Sequence, residues 1–203
     1  MPLSHLIIAA GWILYCALHS VLAAPGVKHW FGRFMGASFH YYRLIYTCFA
    51  LAGLAVMILL LLTTPSHALL RVTRPVRVSG IVIALLGLMI MTACIVKYFL
   101  QTSGLRALIQ SGEKNELMIT GMHRFVRHPL YGGTFVFIWG AWLAWPTESF
   151  LITNLIITIY TLIGLRFEEG KLTREFGSAY AHYKKNVPMI IPRLGRSRQS
   201  NPF

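Results

Sequence analysis

The residues of this chain that are best suited to chemistry lie in one short run, residues 121–133, which reads Gly-Met-His-Arg-Phe-Val-Arg-His-Pro-Leu-Tyr-Gly-Gly. Two arginines, two histidines and a tyrosine stand there at the edge of an apolar stretch. Ionisable side chains at the boundary of a bilayer are costly to desolvate, so such a cluster points to a role beyond solubility. We therefore predict a ligand site at the membrane face of the protein.

A pair of carboxylates, Glu168 and Glu169, follows the last apolar stretch of the chain. The sequence has six acidic residues against 19 lysines and arginines, so two adjacent glutamates at a membrane boundary are unusual. Carboxylates form charge-assisted hydrogen bonds with cations. The pair therefore indicates a cationic ligand, and a solvated start of a helix, paired with Arg166, is the alternative explanation.

Membrane-spanning helices must position these residues. Hydrophobic residues make up 56% of the sequence and charged residues 12%, a composition that excludes an ordinary soluble domain. Apolar stretches close to the ~20 residues that a helix needs to cross a bilayer lie at residues 6–24, 44–64, 78–96, 129–145 and 149–165. We predict an all-α polytopic membrane protein with about five transmembrane helices, in a single domain over residues 1–203.

The predicted topology places residues 97–128 and 166–203 on one side of the membrane, where together they can form a cap. These two segments and the first connection hold 16 of the 19 lysines and arginines. The positive-inside rule then predicts a cap that faces the cytoplasm, in a bacterial inner membrane. The second connection contradicts the rule, because it carries Arg71, Arg74 and Arg77 on the opposite side.

The net charge of +13 is explained best by the lipid bilayer as a partner. The basic residues flank apolar spans, where they can contact anionic headgroups. They follow no groove-reading or base-stacking pattern, so we expect no nucleic acid partner. The sequence contains no signal for the oligomeric state.

An amphipathic helix is predicted to continue the fifth span. Apolar residues recur there at three- and four-residue spacing, at Leu172, Phe176, Ala179 and Tyr183. Lys171 and Glu175 are expected on the other side of this helix, and Pro188 is expected to end it. Tyr180 and Tyr183 are interpreted as packing residues.

Two groups of motifs carry a resemblance to a known family. The first is Arg127-His128-Pro129-x-Tyr131-x-Gly133, and the second comprises Glu168-Glu169-x-x-Leu172, Phe176-Gly177-x-x-Tyr180-x-x-Tyr183, Val187-Pro188 and Ile191-Pro192. With them, residues 97–193 resemble the isoprenylcysteine carboxyl methyltransferases, their bacterial relatives and the phospholipid methyltransferases. All of these are integral membrane enzymes that use S-adenosylmethionine.

The first third of the chain is more similar to particular branches of this family. Its motifs are His19-Ser20-x-x-Ala23-x-Pro25 and Tyr42-Arg43-Leu44-Ile45-Tyr46. They resemble the NnrU-like and methanethiol S-methyltransferase branches. A lone histidine inside a span, such as His19, is interpreted as satisfied by a neighbouring helix and not as a ligand.

The resemblance implies contacts with the cofactor S-adenosylmethionine at Leu117, Met118, His123, His128, Pro129, Leu130, Tyr131 and Glu168. The charges of the cofactor add Glu169 for its cationic groups and Arg124 for its carboxylate. We predict catalytic roles for Arg127, His128 and Arg166, the last because an arginine near the top of the fifth span serves the acceptor in the prenylcysteine enzymes. Anchoring to lipid phosphates is the alternative for Arg124 and Arg127. No metal site is expected.

We predict a methyltransferase that uses S-adenosylmethionine and acts on a lipophilic or small membrane-partitioning acceptor. A carboxylate, a thiol and an amine all remain open as the acceptor. A thiol must lose its proton, and His123, His128 and bulk solvent are open as the proton acceptor. The alternatives are a membrane reductase of related architecture that uses NAD(P)H and a noncatalytic NnrU-like membrane factor. A Rossmann-type Gly-x-Gly-x-x-Gly loop is absent from the sequence.

Overall fold

The computed structural model describes residues 3–102 and 117–193, with residues 98–102 described by their backbone only. The cap residues 103–116 and 194–203 of the predicted topology lie outside this part of the chain. The described residues form α-helices and two short 3-10 helices, with no β-strand among them. The α-helices are α1 (Leu3–Ala23), α2 (Pro25–Met35), α3 (Tyr42–Thr63), α4 (Arg74–Thr102), α5 (Pro129–Ala144) and α6 (Glu148–Asn186). The predicted all-α class is confirmed.

Within the described part of the chain, four helical segments are long and apolar enough to cross a membrane, namely Leu3–Ala23, Pro25–Thr63, Arg74–Lys97 and Glu148–Asn186. Helix α5, at the place of the fourth predicted span, has 16 residues. At 1.5 Å per residue it is about 24 Å long, which is short for a hydrocarbon core of about 30 Å. The protein is thus a polytopic membrane protein in which one helix is shorter than its neighbours.

One end of the helix bundle gathers the start of α1, the second connection and the turn between α5 and α6. His5 lies 3.3 Å from the carboxylate of Glu148. The backbone N–H of Ser149 donates to Ser66 at 3.0 Å. The second connection, residues 64–73, therefore lies on the same side as the predicted tight turn at residues 146–148.

The other end of the bundle is built from the segment before α5 and the segment after α6. The backbone N–H groups of Arg127 and His128 donate to the carbonyls of Pro188 and Met189 at 2.9 and 3.0 Å. The Tyr183 hydroxyl donates to the carbonyl of His123. Two segments more than 40 residues apart in sequence are thereby joined at one membrane face.

Helix α6 contains both the fifth predicted span and the predicted amphipathic helix. Its direction changes at Gly177, where φ is 53° and ψ is −125°, a left-handed conformation that favours glycine. Beyond this kink Tyr180, Tyr183 and Val187 form a buried cluster. Partly buried side chains pack against that cluster, at Leu117, Ile119, Leu172 and Phe176. The interpretation of both tyrosines as packing residues is confirmed.

Helices α4 and α5 pack closely because glycines remove side chains from their contact. A Cβ atom added to Gly87 would lie 2.3 Å from the backbone nitrogen of Phe137, and one added to Gly140 would lie 2.5 Å from that of Ala84. Small residues at such contacts let helix backbones approach in a membrane. The glycines therefore fix the position of α5, and with it the start of the helix at Pro129.

We expect Gly87→Ala to lower the free energy of unfolding of the detergent-purified protein by about 1–3 kcal/mol, because α4 and α5 must separate to admit one methyl group. Gly164→Ala is the matched control, since a Cβ atom at Gly164 meets nothing within 4 Å among the described residues. Thermal unfolding followed by size-exclusion chromatography measures both variants. Equal stability of the two variants would contradict this account of the α4 and α5 contact.

Candidate functional site

The first residues of α5 are placed by their own backbone chemistry. Pro129 is the first residue of the helix, where its fixed φ and missing N–H cost nothing. His128 precedes it in a nonhelical conformation, with φ −128° and ψ 67°. Because α5 begins here while α4 and α6 continue past this level, the shorter helix leaves a recess between its neighbours and the segment that covers it.

A cavity of about 540 Å³ occupies this recess. Its apolar wall includes Cys94, Ile95, Leu117, Met118, Leu130, Leu172 and Phe176. Its polar groups include His123, His128, Tyr131, Glu168, Lys171 and Glu175. An apolar pocket of roughly 300–1,000 Å³ with a few convergent polar groups is typical of small-molecule and cofactor sites.

Glu169 lies behind the cavity wall in a buried polar network, and only 4% of its surface is exposed. Its carboxylate is 2.6 Å from Nη2 of Arg127 and 2.7 Å from Nζ of Lys184. His128 and Tyr180 each approach Oε1 at 3.3 Å. Burial alone would raise the pKa of Glu169, but the hydrogen bonds from Lys184 and Arg127 outweigh it and lower the pKa to about 2.

Arg127 uses its remaining donors to hold the end of α6. Its Nε atom donates to Glu169 at 2.7 Å, and Nη1 donates to the carbonyl of Lys184 at 3.1 Å and to that of Val187. The side chain is 6% exposed. A buried guanidinium that is satisfied in this way joins three segments of the chain.

Glu168 has a different environment from that of its neighbour. Its side chain is 41% exposed and lines the cavity. The Tyr131 hydroxyl donates to its Oε2 at 2.9 Å, and Nδ1 of His128 lies 3.9 Å from the same oxygen. Of the two adjacent carboxylates, Glu168 faces the space that a ligand can enter.

The two histidines of the site are held in uncharged form by burial. Burial lowers the pKa of His128, although Glu168 and Glu169 act in the opposite direction. Burial also lowers the pKa of His123, against a hydrogen bond with the carbonyl of Arg127. That carbonyl can only accept, so Nδ1 of His123 is the donor across the 3.0 Å between them.

The structure brings most of the predicted site residues together. The cavity wall contains Leu117, Met118, His123, Arg127, His128, Pro129, Leu130, Tyr131 and Glu168. Three other predicted residues do not line it. Glu169 is enclosed by the network around Arg127, Arg166 is exposed on α6, and Arg124 lies with its guanidinium carbon 4.6 Å from the ring centre of Phe125.

Eight residues of the cavity wall were not among the predicted site residues, namely Cys94, Ile95, Lys171, Leu172, Glu175, Phe176, Tyr180 and Tyr183. Lys171 and Glu175 are exposed, as expected for the polar side of the helix, and they border the cavity as well. Lys171 follows Glu168 by three positions, and Glu175 follows Lys171 by four. This helical spacing puts the three on one face and was a signal that could have found them.

The chain is similar to known membrane methyltransferases. Residues 75–179 match the family Phospholipid methyltransferase. The chain is 31% identical to methanethiol S-methyltransferase 2 of Bradyrhizobium diazoefficiens, over 93% of this chain and 73% of that protein. It is 28% identical to a methanethiol S-methyltransferase of a Pseudomonas species, over 97% of this chain and 76% of that protein. It is 34% identical to the protein-S-isoprenylcysteine O-methyltransferase of Schizosaccharomyces pombe, over 40% of this chain and 35% of that protein.

No solved structure is significantly similar to the chain.

We expect the stability of the cap to fall in acid as Glu169 takes up a proton. Its folded pKa of about 2 lies below the usual 4.5, so its stabilising contribution is complete above pH 4.5 and is lost as the pH falls toward 2. Thermal unfolding between pH 3 and 7 measures this loss. Glu169→Gln should unfold at a temperature lower by about 10 °C at pH 7, because Arg127 loses its buried counter-charge.

The matched control for this experiment is Glu148→Gln, which changes a carboxylate at the opposite end of the bundle. It should retain the acid dependence of the unmodified protein, whereas Glu169→Gln should show a smaller one. An identical acid dependence in both variants would mean that Glu169 is not the group that titrates.

Proposed function

We propose that this chain, a methyltransferase of the phospholipid methyltransferase family, transfers a methyl group from S-adenosylmethionine to a small thiol such as methanethiol. The relatives that cover nearly the whole chain bear the name methanethiol S-methyltransferase, whereas the isoprenylcysteine enzyme is similar to a smaller part. We place the reaction at the cytoplasmic face of a bacterial inner membrane, since the basic residues concentrate on the cap side.

The single observation that carries this proposal is the exposed carboxylate of Glu168 in an otherwise largely apolar cavity. When bound, S-adenosylmethionine supplies a methyl group on a sulfonium cation. Glu168 suits the cationic groups of this cofactor, and Lys171 on the same wall suits its carboxylate. The rings of His128 and Tyr131, with centres 5.8 Å apart, offer flat surfaces for the adenine.

In this proposal, Arg127 and Glu169 do not contact the cofactor and instead hold other residues of the site in place. Both are buried and pair with each other, so their charges hold His128 and the end of α6 in place. Arg124 and Arg166 are exposed outside the cavity wall, and we assign them to lipid phosphates at the membrane face. The residues that would touch the cofactor are then those of the cavity wall other than Arg127.

The position of the cavity suits a reaction between a charged cofactor and a small apolar acceptor. Methyl transfer needs the acceptor, the methyl carbon and the leaving sulfur in line, and fixed positions can supply several kcal/mol of the barrier. The apolar wall excludes water from both partners. A thiol that dissolves in the bilayer can enter from the lipid side, while the cofactor enters from the cap side.

We expect the detergent-purified protein to bind S-adenosylmethionine and S-adenosylhomocysteine saturably in a calorimeter. Glu168→Gln and Lys171→Met should each weaken binding about tenfold, a loss of about 1.4 kcal/mol, because each removes one charge-assisted contact. His128→Ala should weaken it as well. Glu148→Gln is the matched control and should bind as the unmodified protein does.

The same measurement separates the alternatives. Nicotinamide dinucleotides should not bind, and their binding in place of the adenosyl compounds would favour the reductase. Folded protein that binds neither kind of cofactor would overturn the proposed function.

We expect the protein in lipid vesicles to convert methanethiol and S-adenosylmethionine into dimethyl sulfide and S-adenosylhomocysteine. Gas chromatography measures the first product, and liquid chromatography measures the second. A prenylated cysteine and phosphatidylethanolamine serve as competing acceptors of the other two chemical classes. Methyl transfer to one of these and not to methanethiol would retain the enzyme class and reject the thiol.

A further inference from the structure

A second cluster of polar side chains lies inside the membrane-spanning part of the bundle. His19 of α1, Tyr46 of α3 and Tyr160 of α6 converge there from three helices. The Tyr46 hydroxyl oxygen is 3.0 Å from Nε2 of His19. The ring centres of Tyr46 and Tyr160 lie 5.3 and 6.4 Å from that of His19, and Tyr160 also pairs with Ser20 at 3.0 Å. This cluster joins the two motifs that the first third of the sequence singled out.

The cluster lies at the same depth as the start of α5. His19 is four residues before the end of α1 at Ala23, and Tyr46 is four residues after the start of α3 at Tyr42, so both lie about one turn from the cap side. Tyr131 of the cavity interacts electrostatically with both Tyr46 and Tyr160. The two tyrosines of the cluster are therefore near the part of the cavity wall that Tyr131 forms.

Placing a polar side chain inside the membrane costs free energy, so such residues usually have a function. Within residues 3–102 and 117–193, the ring of His19 has no hydrogen-bond partner besides Tyr46. The Tyr46 hydroxyl oxygen lies 3.2 Å from Nδ1 and 3.0 Å from Nε2 of His19, and its single proton can be shared with only one of them at a time. The other nitrogen keeps its hydrogen-bonding capacity for a ligand that approaches the half-buried ring.

The histidines of the cavity are less suitable for this role. His128 has one ring nitrogen 3.3 Å from Glu169 and the other 3.9 Å from Glu168, so both face carboxylates of the cap. His123 binds the carbonyl of Arg127 through its ring and holds Tyr183 through its own carbonyl. Both are occupied with holding the cap, whereas His19 lies on the side from which a bilayer-soluble acceptor arrives.

We propose that His19, oriented by Tyr46, is the base that binds the thiol acceptor and takes its proton. This inference rests on the proposed function and names its acceptor site. The thiol sulfur forms a bond to the methyl carbon as the bond from that carbon to the sulfonium sulfur breaks. The sulfonium sulfur keeps the electron pair of the broken bond, and the thiol proton passes to the imidazole of His19 and then to solvent.

The experiment compares His19→Ala, Tyr46→Phe and the control Tyr42→Phe in lipid vesicles with methanethiol. Tyr42 donates to the carbonyl of Leu22 at the same depth, so its variant removes a hydroxyl without touching His19. His19→Ala should lower the turnover number about 100-fold. It should leave calorimetric binding of S-adenosylhomocysteine within twofold, and Tyr42→Phe should change neither quantity.

The pH profile separates a base from a structural residue. The rate deficit of His19→Ala should shrink as the pH rises from 7 to 10, because the thiol then ionises in solution without a base, as a cysteine thiol does near pH 8.5. Tyr46→Phe should show a smaller deficit of the same form. A deficit that is independent of pH, or one that equals the loss of cofactor binding, would overturn the inference.

The outcomes also separate this inference from the proposed function. An unmodified protein that binds no adenosyl compound, or that does not methylate methanethiol, overturns the proposed function and the acceptor site with it. An active unmodified protein with an equally active His19→Ala variant overturns the acceptor site alone.

Discussion

The buried carboxylate of Glu169 is the interaction on which the site depends. It receives Arg127 from the segment before α5, Lys184 and Tyr180 from beyond the kink of α6, and His128 from the cavity wall. A buried charge is costly unless its partners satisfy it, and here four donors share one carboxylate. The pairing therefore fixes how the segments around the cavity lie, and it leaves the neighbouring Glu168 for a ligand.

Helix length supplies the second constraint. The glycine contact holds α5 against α4, and the proline at residue 129 begins α5 below the level that α4 and α6 reach. Just before Pro129, the backbone N–H groups of Arg127 and His128 donate to the carbonyls of residues 188 and 189. A short helix between two long ones thus produces a recess at the membrane boundary, and the ion pair closes it from the water side.

Local sequence was enough to predict the helical class and the apolar stretches, because apolar composition over about 20 residues depends on no other part of the chain. It also predicted that the two motif groups meet, since five crossings bring residues 97–128 and 166–203 to one side. The helix α2 (Pro25–Met35) and the 3-10 turn Gly36–Tyr41 of the first connection were not predicted. The sequence of α2 nevertheless carries the signals of a helix, namely an amphipathic period and a proline at its first position.

The division of work between Glu168 and Glu169 could not be predicted. The two residues are adjacent, and which of them faces the cavity is decided by the rotation of α6 against a segment some 40 positions earlier. The same limit applies to His19, which was expected to be satisfied by a neighbouring helix. Tyr46 does bind it, but the pairing of α1 with α3 across 27 positions follows only from tertiary packing.

Two pairs of polar residues lie at different depths of the helix bundle, and each pair suits a different ligand. Glu168 and Lys171 stand where water and a charged cofactor can reach them, and His19 and Tyr46 stand one helical turn inside the apolar layer. A small neutral thiol brings no charge into that layer. At the acceptor site that we propose, a large or charged head would have to displace the contacts among α1, α3 and α6, so the proposal predicts a preference for small acceptors over lipid headgroups.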